Sequence, residues 1–262
     1  FNPHIKEICE MGHKVGALLY YDGANLNAVM GKLRPGDIGF DIVHLNLHKT
    51  FATPHGGGGP GAGPVGVKKH LSEFMPISKV IRRTDGTFCL DYNYPKSIGY
   101  IAPFYGNFGV IVKAYAYILM LGKSGLIDAS EKAVLNANYV RTKLKNSYKL
   151  PYDRRCMHEC VFSAERQKEK GVSALDIAKY LISKGYHPPT VYFPLIVKEA
   201  LMIEPTETES KETLDSFIEV MKEAADLAEK KPEVFADMPD NTPVQRPDEV
   251  KAARDLNLKW NG

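Results

Sequence analysis

Apolar residues form short runs in the first part of the chain and fall at helical spacing beyond it. Gly16-Ala17-Leu18-Leu19-Tyr20-Tyr21 is an apolar run that ends at Asp22-Gly23, a buried strand followed by a turn. Ile42-Val43-His44-Leu45 predicts a second short strand, and Val65-Gly66-Val67 a third. A glycine-rich loop, His55 to Pro64, separates these two. Residues 76–105 are rich in Pro, Gly and Tyr and predict irregular structure with short strands. Helical periodicity runs from Gly106 to Leu121, breaks at Gly122–Gly125, and resumes from Ile127 to Ser147. Past Pro151 the pattern becomes a small α/β one. A strand is expected near His158–Ser163, then a helix from the capping pair Ser173 and Asp176 through Lys184. Strands near Thr190–Val197 and Ala200–Glu204 precede a last helix after Thr206–Thr208. That helix places Leu214, Phe217, Ile218, Met221 and Ala225 on one face. From Lys231 the chain is Pro-rich and polar, and is expected to lie over other elements without a core of its own. The expected organisation is part of a large domain over 1–105, connecting helices over 106–150, a small α/β domain over 151–230 and a tail over 231–262.

Composition narrows the function classes. The chain has 262 residues, 34 Lys plus Arg and 31 Asp plus Glu, a net charge of +3. Hydrophobic residues at 44% and charged residues at 25% are ordinary globular values, which excludes a disordered or fibrous chain. The basic residues are dispersed among acidic neighbours, so neither a nucleic-acid nor a membrane surface is expected. The longest apolar stretch, Val110–Leu121, contains Lys113 and is too short to span a bilayer. Phe1-Asn2-Pro3-His4 carries no signal-peptide pattern. Four cysteines without regular spacing predict a reducing cytoplasm and no disulfide framework. In Cys156-Met157-His158-Glu159-Cys160, Cys and His alternate. Three ligands do not close a zinc site, so one face of a strand is the preferred reading and no metal is expected.

Candidate chemistry gathers in three nearby features: Asp22, His48-Lys49 and the glycine run. A Lys at the end of a buried strand, in dry surroundings, can lose its proton and attack a carbonyl. An Asp at the end of a neighbouring strand can hold a pyridinium nitrogen protonated, which makes pyridoxal phosphate an electron sink. A His beside the Lys can shuttle protons near neutral pH. Taken singly, each feature is more often structural. The glycine run lacks the Gly-Lys-Ser/Thr ending of a phosphate loop and the Gly-x-Gly-x-x-Gly of a dinucleotide site. Its clustered glycines instead allow close backbone approach to a ligand, with His55 as a candidate contact.

Tyr20-Tyr21-Asp22-Gly23-Ala24-Asn25, His44-Leu45-Asn46-Leu47-His48-Lys49-Thr50-Phe51 and Pro54-His55-Gly56-Gly57-Gly58-Gly59-Pro60-Gly61 together resemble glycine decarboxylase, the pyridoxal-phosphate P-protein of the glycine cleavage system. Gly185-Tyr186-His187-Pro188-Pro189-Thr190 and Leu201-Met202-Ile203-Glu204-Pro205-Thr206-Glu207-Thr208-Glu209-Ser210 extend the resemblance over nearly the whole chain, and within two-subunit forms it points to the lysine-bearing second subunit. The resemblance implies an aspartate-aminotransferase-like (fold type I) α/β architecture, with a large domain around a mostly parallel sheet and a smaller C-terminal α/β domain. It implies that Lys49 forms the Schiff base with pyridoxal 5'-phosphate, that Asp22 pairs with the pyridine nitrogen and that Ala24 lies beside the ring. His48 precedes the lysine as the proton-handling residue, and Asn46 and Thr50 contribute polar contacts. The implied reaction decarboxylates glycine and passes the aminomethyl group to the lipoyl arm of the H-protein, in a hetero-oligomer with the first P-protein subunit. No Arg lies in Thr190–Glu204 to clamp the glycine carboxylate, which suits a carboxylate that must leave.

Only 48 residues precede Lys49, too few for the sheet that such a fold builds ahead of its lysine. A C-terminal fragment lacking on the order of two hundred residues is therefore expected. Alone it is expected to bind the cofactor weakly and to dimerise through its exposed half-sheet. Two alternatives stand beside this reading: another fold-type-I decarboxylase or desulfurase, or a cofactor-free fragment acting only as an interaction module.

Overall fold

A computed structural model describes residues 2–57, 59, 61–101 and 105–260. Gly58 and Pro60 of the glycine run lie outside the described residues. The chain forms two compact units, Phe1–Glu131 and Lys132–Gly262. The division falls inside a helix, upstream of the composition shift at Pro151.

The first unit opens with α1 (Ile5–Lys14), in which Cys9 is the one buried residue. β1 (Tyr20–Gly23) pairs in parallel with β2 (Ile42–Leu45), and β2 pairs antiparallel with β3 (Val65–Val67). The short helix α2 (Pro35–Ile38) lies between the first two strands, and α3 (Leu47–Thr50) follows β2 directly. A 3-10 turn over Lys69–Phe74 and a hairpin of β4 (Lys79–Arg82) and β5 (Phe88–Asp91) supply the short strands expected within 76–105. The apolar run at Gly16 becomes strand only from Tyr20.

The helix α4 (Phe108–Leu144) begins in this unit. At Gly122 its backbone turns to φ 59° and ψ −171°, open to a residue without Cβ, so two helical segments meet where the sequence predicts a break. By length and composition α4 could cross a membrane, with a mean hydropathy of 1.5 over 18 residues, although the Gly122 kink falls inside it. Val110 and Ala114 of its first segment pack into a small core with Met30, Leu47, Phe51 and Ala129. The other side of that segment leaves Phe108, Val112, Tyr115, Leu119 and Met120 exposed.

The second unit holds the larger core. Three antiparallel strands, β6 (Cys160–Ser163), β7 (Thr190–Val191) and β8 (Ala200–Ile203), stand in the order β6-β8-β7. Between β6 and β7 lie α5 (Glu165–Lys168) and α6 (Ala174–Ser183). Ser173 caps α6 through the expected capping box, its hydroxyl accepting from Asp176 N while the Asp176 carboxylate accepts from Ser173 N. α7 (Lys211–Lys230) buries Leu214, Ile218, Met221 and Ala225, with Phe217 packed at the margin. Phe162, Leu201, Tyr148 and Tyr180 complete this core.

Two expectations change here. The tail contributes to the core: Phe235, in a 3-10 turn over Pro232–Asp237, is buried, and Arg246 donates to Asp176 and to the carbonyls of Phe235 and Met238. α8 (Glu249–Arg254) follows, fully exposed. The strand expected near His158–Ser163 begins at Cys160, and upstream of it Asn138 of α4 holds the Cys156 backbone with two hydrogen bonds of 2.8 and 3.1 Å.

Candidate active site

The C-terminal ends of the parallel pair β1–β2 collect most of the residues singled out above. Crevices outside the carboxyl ends of parallel strands are where open α/β sheets place ligands. Asp22 sits near the end of β1, opposite His44 on β2. Its carboxylate is 74% exposed and accepts from Ala24 N at 3.1 Å, an Asx-type turn that sets the half-buried Ala24 just past the strand. His44 Nε2 lies 3.2 Å from Asp22 Oδ1, and its Nδ1 lies 2.7 Å from the Tyr20 hydroxyl. The two strands therefore build a Tyr20–His44–Asp22 chain. Sequence reading treats His44 as strand filler. Its role depends on register, which short runs do not encode.

β2 leads through Asn46, at the N-cap position of α3, into Leu47-His48-Lys49-Thr50. Leu47, Thr50 and Phe51 turn inward, and Phe51 meets Tyr117 edge-on at 6.5 Å. One helical turn with these residues inward sends Lys49 to the surface. The dry surroundings expected for Lys49 are absent: its side chain is exposed. Thr50 Oγ1 accepts from Leu26 N at 2.9 Å, so this hydroxyl ties the loop after β1 to the lysine turn. Asn46 makes no side-chain capping bond. The exit of the glycine run is held along β2, with Leu45 N and Leu47 N donating to the carbonyls of Pro64 and Ala62.

The His48 ring is half-buried, unlike the exposed Lys49 beside it. Its Nδ1 is buried without a hydrogen-bond partner among the described residues, and its ring meets His55 edge-on at 4.8 Å. Burial, with the neighbouring His55 and Lys49 charges, lowers its pKa and favours the neutral imidazole. The structure thus brings His55 to His48, the contact candidate to the proton-handling candidate.

A further cluster escaped sequence reading. Asp41, 4% exposed, accepts from His13 Nε2 and Leu19 N, each at 2.9 Å, with Lys68 Nζ at 3.6 Å. Burial pushes its pKa up, but the hydrogen bonds from His13 and Leu19 and the charge of Lys68 outweigh that and lower it. Asp41 immediately precedes β2 and anchors α1 and the start of β1 to it.

The chain is similar to known proteins over most of its length. Residues 129–247 match the family model described as glycine dehydrogenase, C-terminal domain. Over 260 residues, 99% of its length, it is 59% identical to the probable glycine dehydrogenase (decarboxylating) subunit 2 of Caldanaerobacter subterraneus subsp. tengcongensis, of which it covers 53%. It is 60% identical over 261 residues to the corresponding protein of Treponema denticola, covering 54% of that protein. The chain thus spans about half the length of the curated relatives it matches. Among solved structures, an inhibitor-bound glycine decarboxylase (P-protein) superposes with a TM-score of 0.67 at 20% identity, covering 84% of this chain and 51% of that one. The cysteine desulfurase of Thermococcus onnurineus NA1 superposes with a TM-score of 0.63 at 15% identity, over 85% of this chain and 56% of that one. The fold is that of fold-type-I pyridoxal-phosphate enzymes.

Proposed function

We propose that this chain is the lysine-bearing part of a glycine-decarboxylating enzyme that uses pyridoxal 5'-phosphate. One observation carries the reading: Asp22 and the His48-Lys49 pair lie at the carboxyl ends of two adjacent parallel strands, locked to one another by the Leu26–Thr50 hydrogen bond. The orphaned, buried Nδ1 of His48 and the exposed carboxylate of Asp22 fit a planar polar group held at that edge.

Lys49 supplies the amine that binds the cofactor covalently, and its exposure leaves it accessible. Asp22 holds a proton at the ring nitrogen, oriented by the Ala24 N–H and by His44. Ala24 leaves room beside the ring, and Asn46 and Thr50 frame the lysine turn. When bound, the cofactor supplies an electron sink for the pair left as glycine loses carbon dioxide. His48, kept neutral by its surroundings, accepts a proton at Nδ1 and can return it.

The acceptor is the lipoyl arm of an H-protein, and the chain works with a first P-protein subunit in the cytoplasm. The name subunit 2 borne by the relatives supports a subunit partner. The exposed apolar side of α4 around Phe108, Tyr115 and Leu119 gives such a partner, or a second copy, a surface to cover. The test uses the complete two-subunit enzyme. Lys49→Ala is expected to abolish the visible absorbance of the lysine-bound cofactor and the lipoyl-protein-dependent exchange of carbon dioxide into glycine. Persistence of that absorbance would mean that another lysine binds the cofactor.

A further inference from the structure

The Cys156–Cys160 segment acquires a different meaning in the folded chain. β6 and β8 pair with Cys160 opposite Ile203. One step past that pair, the same register sets Glu159 across from Glu204. Two carboxylates opposed at the end of an antiparallel ladder repel unless a positive charge lies between them. His158 stands beside both. Its Nε2 lies 3.8 Å from Glu159 Oε2 and 3.7 Å from Glu204 Oε1, beyond hydrogen-bond reach. Both ring nitrogens are buried, and neither has a hydrogen-bond partner among the described residues. A buried imidazole with two idle nitrogens calls for a missing partner, either water or an ion.

The spacing favours an ion. Ligand atoms of all three side chains lie within 4.8 Å of one another. Two ligands on a tetrahedral Zn²⁺, bonded at about 2.0–2.2 Å, stand about 3.3–3.6 Å apart. The observed nitrogen–oxygen separations exceed this by a few tenths of an ångström, within the reach of two partly exposed glutamates. One imidazole and two carboxylates form a borderline donor set that suits Zn²⁺ or Mn²⁺ better than the soft ions selected by thiolates. Of the neighbouring cysteines, Cys160 is buried in the core and is poorly placed to compete.

We propose that His158, Glu159 and Glu204 form a divalent-cation site, taking Zn²⁺ with water in the remaining position. The ion clips the start of β6 to the end of β8. This site requires none of the residues assigned to catalysis.

The test is Zn²⁺ titration of the chelator-treated 262-residue chain by calorimetry, with Co²⁺ as a spectroscopic probe. One ion per chain is expected, and Co²⁺ should give a visible band without thiolate charge transfer. Loss of a second-shell partner weakens metal sites about 10–100-fold, so His158→Gln and Glu204→Gln, which remove direct ligands, should each weaken binding by at least about a hundredfold. Cys156→Ser should leave it unchanged. Circular dichroism checks that each variant folds, and if His158→Gln does not, the isosteric Glu204→Gln decides. No saturable Zn²⁺ uptake by the folded chain overturns the proposal. Uptake that survives Glu204→Gln, or that is lost in Cys156→Ser, overturns it equally.

Discussion

Gly23 is where the candidate site and the fold depend on the same atoms. It closes β1 between Asp22 and Ala24. A Cβ added there would lie 2.4 Å from the carbonyl oxygen of His44 and 3.0 Å from Leu45 Cδ2. A carbon–oxygen contact relaxes to about 3.3–3.6 Å, so Gly23→Ala must push the strand ends apart by about 1 Å. Hydrogen bonds of ordinary length, about 2.9 Å, stretched by that amount no longer qualify. Losing one ladder bond costs about 1 kcal/mol, and the overpacking about 1–3 kcal/mol more. A total near 2–4 kcal/mol lowers the melting temperature of the first unit by roughly 4–16 °C, at about 2–4 °C per kcal/mol. Scanning calorimetry of the 262-residue chain reads this as a shift of one transition, with the unfolding of Lys132–Gly262 unmoved. In the complete enzyme the same change should weaken cofactor affinity, since Asp22 moves with the strand. A melting temperature within about 1 °C of wild type would show that β1 and β2 do not approach as described.

Three further outcomes follow from the packing. Asp41→Asn should destabilise the first unit by about 1–3 kcal/mol, since an amide cannot serve His13, Leu19 and Lys68 as the carboxylate does. Because folding lowers the Asp41 pKa, its contribution is complete above the unfolded value of about 4 and disappears as pH falls through the folded value. The wild-type advantage over Asp41→Asn in urea melts should therefore shrink below about pH 4, and an advantage constant down to pH 2 would contradict this assignment. Ser173→Ala removes the hydroxyl half of the α6 capping box and should cost about 1 kcal/mol, read as a lower urea midpoint with unchanged slope. Phe162→Ala, in the second core, should cost about 3–5 kcal/mol; a loss below 1 kcal/mol would place Phe162 outside that core.

The sequence by itself determined the local elements whose signals are short-range. The capping pair Ser173–Asp176, the apolar face of α7 and the break at Gly122 each depend on residues within one or two turns, and each appears where the pattern puts it. It also identified Asp22, His48 and Lys49 as a group, because their motifs lie within 28 residues of one another. Tertiary structure decided the rest. Which residue stands opposite Asp22 depends on the parallel register of β1 and β2, and that register made His44 its neighbour. Which side of α3 faces inward depends on the core beneath it, and that core turned Thr50 toward Leu26 and left Lys49 exposed. The buried Asp41 cluster and the His158–Glu159–Glu204 group join positions 28 and 46 residues apart. No periodicity of 2 or 3.6 residues records such distances, because they are set by how strands and helices pack against one another.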